Sequence, residues 1–296
     1  MIRRGLLLSI IVSLVLAATT AGIFYRTIGA DVEGTSLRGQ HVIYQGSGLY
    51  RYNPASFVRE GIIWDCVNLF IGLPLLVLAG VFALRGSLRG KLYLGGLLAY
   101  FWYVYLGTVM MYAFNNLFLV YVAIFALTMI AFVLNIIEIE VPTLPTRFSA
   151  RFPRKAFIGF FGLFAAVLLV LWLSRIVKIM KTGLFPEDFA GMLTFGSQAL
   201  DLGLLLPLSI STAVLLMRKS AWGYLLASVC MPFGLMMFIS VPLWVTVPLI
   251  QDGKTNMLEA IPFYFISLIG IVLALVFLLC IPKTATTRIS RMSGPA

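Results

Sequence analysis

The chain has 296 residues, 61% of them hydrophobic and only 11% charged, and its mean hydropathy is +1.01. A soluble domain keeps about a quarter of its residues charged, so the composition excludes that class and points to an all-α polytopic membrane protein. The formal net charge of +11 belongs to basic loops between apolar runs, and no nucleic acid is expected as a partner.

The N-terminus, "MIRRGLLLSIIVSLVLAATTAG", has the basic start and apolar middle of a signal peptide. Thr19 is a poor residue ahead of cleavage after Ala21, and the apolar run continues through Tyr25, so an uncleaved first helix is predicted over 6–25. Seven more spans follow at 61–84, 92–113, 117–137, 156–174, 197–217, 221–248 and 258–281. Each is near the length of helix that crosses a hydrocarbon core of about 30 Å. With the N-terminus inside, the cytoplasmic segments hold Arg3, Arg4, Arg85, Arg89, Lys91, Arg147, Arg151, Arg154, Lys155, Arg218, Lys219, Lys283, Arg288 and Arg291. The outside keeps Arg26, Arg38, Arg51, Arg59, Arg175, Lys178, Lys181 and Lys254, spread through longer loops. That asymmetry predicts both termini to be cytoplasmic.

The outer loop 26–60 contains "QHVIYQGSGLYRY", two β-prone runs around Gly46-Ser47-Gly48 that predict a small hairpin capping the outer mouth. Tyr44, Tyr50 and Tyr52 would supply its packing. The stretch "YFWYVY" at 100–105 reads as packing against neighbouring helices, with ligand stacking the lesser alternative. The linker 138–155, "VPTLPTRFSARFPRK" at its core, reads as a basic cytoplasmic junction, with a place at the headgroups as the alternative. Pro232, Pro242 and Pro248 should kink the seventh span. Cys66, Cys230 and Cys280 lie in apolar segments without a CxxC or Cys/His cluster, and His41 is the only histidine. No disulfide framework, metal or cofactor is indicated.

Residues 68–92, "NLFIGLPLLVLAGVFALRGSLRGKL", lie over 201–225, "DLGLLLPLSISTAVLLMRKSAWGYL", without a gap. Pro74 meets Pro207, Arg85 meets Arg218, Ser87 meets Ser220 and Gly90 meets Gly223. The match relates the second span to the sixth and the third to the seventh, an offset that preserves membrane direction. Two parallel four-helix repeats are therefore predicted, 1–137 and 156–296, joined by 138–155. Extending the register backwards sets "DCVN" (65–68) on "QALD" (198–201), so each half carries one carboxylate and one carboxamide on one helix face. Helical rise from Arg85 places Pro74 at about 16 Å, Asn68 at about 25 Å and Asp65 at about 30 Å.

Matched Pro-interrupted helices point to a transporter site, and intramembrane carboxylates usually face a wet interior. The expected site is a cavity between the halves, open outward and lined by Asp65, Asn68, Gln198 and Asp201, above the helix-break pair Pro74 and Pro207. The alternative is that the polar groups merely end their helices at the headgroups, which depth favours for Asp65 and Gln198. Arg175, Lys178 and Lys181, just outside the fifth span, read as partners of Asp201 or of lipid phosphate, with an anion-substrate site as the lesser alternative.

"GLYRYNP", "NLFIGLPLLVLAGVFALRGSLRGKL", "NNLFLVYVAIFALT" and "QALDLGLLLPL…RKSAWGYLLASV" together resemble a family of uncharacterised bacterial multi-pass integral membrane proteins. The resemblance covers nearly the whole chain. It implies this architecture and the bacterial cytoplasmic membrane, and it carries over no activity and no functional residue.

Three functions compete on these residues. The first is a small-solute transporter or permease, with a small solute in the cavity. The second is a non-catalytic scaffold, accessory subunit or sensor that meets a partner membrane subunit through the outer loop. The third is an intramembrane enzyme with Asp65 and Asp201 as acid and base, which no nucleophile, metal or phosphate cradle supports. Neither GxSxG nor HExxH occurs in the chain.

Overall fold

The structure, a computed structural model, describes residues 2–185, 191–252 and 257–281. Lys254, Lys283, Arg288 and Arg291, counted above for orientation, lie outside the described residues. Among those residues eight helices are long and apolar enough to cross a membrane. They are α1 (Ile2–Phe24), α2 (Ala55–Leu84), α3 (Leu88–Met111), α4 (Phe118–Ile137), α5 (Arg154–Thr182), α6 (Gly196–Met217), α7 (Ala221–Asp252) and α8 (Met257–Cys280). Lipid offers the backbone no hydrogen bonds, so each crossing satisfies its own N–H and C=O groups as helix.

Packing follows the same scheme at both ends of the chain. α1 packs on α2 and α4, α2 on α3, and α3 on α4. Likewise α5 packs on α6 and α8, α6 on α7, and α7 on α8. The two sets meet chiefly along α3 and α7, with α2 also touching α7. That seam is close because Gly96 has no side chain. A Cβ there would stand 2.6 Å from the Val229 carbonyl oxygen and 2.7 Å from Pro232 Cβ.

α2 and α6 share a local irregularity. Each contains one π-helical turn, Asn68–Gly72 in α2 and Asp201–Leu205 in α6, and each turn is followed by the proline at 74 or 207. The Leu73 N–H reaches back to the Asn68 carbonyl, and the Leu206 N–H to the Asp201 carbonyl. Proline cannot donate, and its ring would clash with the carbonyl four residues back, so widening the turn lets both helices continue. The expected helix-break pair is thus a pair of bulges in unbroken helices. α7 likewise runs unbroken through Pro232 and Pro242.

The turns after α2 and α6 also coincide. Ser87 N–H bonds to Phe82 O and Gly86 N–H to Ala83 O, and Ser220 N–H bonds to Leu215 O and Lys219 N–H to Leu216 O. Both are Schellman endings, which need a left-handed residue after the cap. Gly86 takes φ +83° at no steric cost, whereas Lys219 adopts φ 56° with a side chain.

The linker turns its aromatic residues inward. Phe148 and Phe152 pack among Phe157, Tyr224 and Phe277, and Ser149 N–H bonds to the Cys280 carbonyl. Near this end Glu138 pairs with Arg4 and with Lys91 at 3.0 Å.

The hairpin forms in the outer loop, but in a different register from the expected one. β1 (Val32–Thr35) pairs antiparallel with β2 (His41–Tyr44), and the turn between them is closed by Ser36, whose hydroxyl accepts from the Arg38 and Gln40 N–H groups. The Gly46–Gly48 stretch instead closes a loop in which the Gln45 N–H bonds to the Asn53 carbonyl and the Tyr52 N–H to the Gln45 carbonyl. The reason is tertiary: Tyr50 is buried and donates its hydroxyl to Asp65, which holds the stretch after Gly48 against the helices. Tyr52, expected to pack, is 62% exposed with φ 74°.

Candidate functional site

Beneath the hairpin a cavity of about 210 Å³ lies between α2, α3, α5, α6, α7 and α8. Asp65, Asn68, Gln198 and Asp201 all line it. Depth alone favoured headgroup exposure for Asp65 and Gln198, yet they are only 6% and 3% exposed. Helical rise measures height along one helix and cannot register the outer loop folding back over its end.

Three of these polar groups, Asp65, Asn68 and Asp201, are held by aromatic donors from other elements. Tyr50, in the loop before α2, donates its hydroxyl to Asp65 at 2.5 Å. Tyr100 on α3 donates to the Asn68 amide oxygen at 2.8 Å, with both side chains fully buried. Asp201 accepts from the Tyr103 hydroxyl at 2.6 Å and from the Trp172 indole N–H at 2.9 Å, which ties α6 to α3 and α5. The Arg175 guanidinium lies 5.7 Å from the Trp172 ring centre, stacked on the residue that holds Asp201. The Tyr100 and Tyr103 rings pack against Phe233, as the packing reading of "YFWYVY" expects, and their hydroxyls hold Asn68 and Asp201.

Sequence reasoning missed Glu60. It sits one turn before Trp64, accepts that indole N–H at 3.1 Å and lines the same cavity. Its signal was available: Glu60 and Trp64 are i and i+4, hence on one face with Asp65 close by. Tyr50, Tyr103 and Trp172 had no such signal, because their partners lie on other elements. Outside the spans, burial and the neighbouring Asp65 push the Tyr50 hydroxyl well above the usual tyrosine range. Burial, then Glu60 and Asp65, do the same to Tyr112.

The hairpin closes the outer end. Arg38 donates to the Met192 and Leu193 carbonyls at 2.8 and 3.1 Å, and its guanidinium lies 4.0 Å from the Phe185 ring centre. Gln40 donates to the Phe185 carbonyl at 2.8 Å, and Phe185 stacks on Phe195. Loop 26–60 is thereby fastened across to the segment between α5 and α6.

Eight apolar helices around a partly polar interior define a polytopic membrane protein. No protein-family model matches the chain, and no curated protein or solved structure matches it either. Function therefore has to be argued from the cavity itself.

Proposed function

We propose that the chain is a small-solute transporter or permease-like protein that binds its solute in the cavity between two parallel four-helix repeats. The single observation that carries this reading is that Asp65, Asn68, Gln198 and Asp201 line one cavity at the seam of the two helix sets. The repeat reading is supported by the π turns at matched positions, the matched Schellman endings and the common packing scheme. Bulged helices facing a shared cavity suit a site at a repeat interface. The basic residues of the short loops, together with the family resemblance, favour the bacterial cytoplasmic membrane with both termini inside. A scaffold or sensor acting through the outer loop draws less support, since Arg38 and Gln40 are already engaged with Phe185, Met192 and Leu193 of the same chain.

Two measurements test this. Ser197→Cys, in a background freed of Cys66, Cys230 and Cys280, should be labelled by an impermeant methanethiosulfonate from the outer side of vesicles only. Proteoliposomes should move at least one of labelled choline, glycine, glycerol and lactate faster than protein-free vesicles, and Asp65→Asn with Asp201→Asn should abolish that flux. Flux at the protein-free level for all four, with Ser197→Cys inaccessible from outside, would overturn the reading.

A further inference from the structure

The cavity carries an unbalanced charge pattern. Glu60, Asp65 and Asp201 line it, and among the described residues no Lys, Arg or His side chain does. Charged groups inside a membrane protein are kept where they pair with one another or meet a substrate. Here the protein's own partners to the carboxylates are neutral: the hydroxyls of Tyr50 and Tyr103 and the indole N–H groups of Trp64 and Trp172. All four donate, which orients the carboxyl groups and sets no opposite charge against them.

A second observation is independent of the acidic groups. Tyr105 and Ser267 also line the cavity, each 3% exposed, and among the described residues their hydroxyl oxygens have no hydrogen-bond partner. Buried hydroxyls are nearly always paired, so two in one cavity mark room left for something that would pair with them. Most of the rest of the wall is aromatic or apolar, including Trp64, Trp172, Tyr103 and Phe233. Ring faces attract cations and also accept an apolar body. Among the described residues no three carboxylate, thiol or imidazole groups stand close enough to hold one metal ion. The wall therefore suits an organic cation better than an inorganic one.

We propose that the cavity takes a small organic cation, an amine or quaternary ammonium bearing an apolar or aromatic body. Its charge is met by Glu60, Asp65 and Asp201 and its body by the ring faces. The proposal rests on the reading of the cavity as a solute site and names the class of that solute.

Binding, not flux, tests it. The purified protein in lipid nanodiscs is titrated by calorimetry with benzyltrimethylammonium, benzyl alcohol and benzenesulfonate, which share a ring and differ in charge. The cation should bind at least tenfold more tightly than the alcohol, and benzenesulfonate should not bind. In Glu60→Gln with Asp201→Asn the cation's advantage should fall at least tenfold, and each single variant should show part of the loss if the pair does not fold. The proposal is overturned if the alcohol or the sulfonate binds as well as the cation. It is equally overturned if none of the three binds the folded protein, or if the cation's advantage survives in variants of native helical content. Cation binding without flux in vesicles would sink the transport reading and leave this inference standing. Flux of glycerol or lactate without cation binding would do the reverse.

Discussion

Replacing Gly96 by Ala should weaken the seam between α3 and α7 more than any other one-methyl change on α3. The added methyl would stand 2.6 Å from the Val229 carbonyl oxygen and 2.7 and 2.8 Å from Pro232 Cβ and Cγ. Carbon atoms prefer about 3.5–4.0 Å, so the helices must part by roughly 0.7–1 Å or the backbone must bend. Neither neighbour can swing aside, one being main chain and the other a ring fused to it. Overpacking of this kind costs about 1–3 kcal/mol, which for a chain of this size lowers the apparent Tm by roughly 2–5 °C. Heating in detergent with a thiol-reactive dye gives the readout, because Cys230 and Cys280 are buried and become reactive on unfolding. Gly162→Ala on α5 is the control: nothing lies within 4 Å of its Cβ position. Helix propensity there favours Ala by up to about 1 kcal/mol, so its Tm should hold or rise. A Gly96→Ala protein as stable as wild type, or no different from Gly162→Ala, would refute the close-contact argument.

Other expectations follow from single contacts. Asn68→Leu should leave the Tyr100 hydroxyl buried without a partner, at about 1–3 kcal/mol. Adding Tyr100→Phe should recover part of that loss, and strictly additive Tm changes would contradict the pairing. Because burial and Asp65 disfavour ionisation of Tyr50, Tyr50→Phe should leave the tyrosinate absorbance that grows around pH 10 unchanged. Losing one tyrosine's amplitude there would show that Tyr50 is not shielded. Arg38→Ala removes the donors to the Met192 and Leu193 carbonyls and the contact with Phe185, so amide exchange across 191–195 should speed up at least tenfold. Unchanged exchange would mean that the hairpin does not fasten this segment.

What the residues themselves determined is what the solvent imposes locally. Lipid demands about twenty apolar residues per crossing and a backbone that bonds to itself, and both can be read along one segment at a time. The eight spans were legible for that reason, as were the prolines at 74 and 207 and the basic turns after them. The same proline in the same surroundings gave the same π turn in α2 and α6. The polar set was legible as well, because carboxylates and carboxamides stand out against an apolar background. Where these groups ended up was not. Asp65 is buried because the loop carrying Tyr50 folds back over it, and Asp201 is half-buried because Tyr103 and Trp172 arrive from two other helices. The hairpin register had the same origin, since the interior claimed Tyr50 and left His41–Tyr44 to pair upstream. A buried polar group takes whichever donor the packing brings within about 3 Å, and that depends on how the helices are arranged rather than on which residues adjoin in the chain. Tertiary structure alone therefore turned four polar residues and an overlooked Glu60 into the wall of one acidic, aromatic cavity.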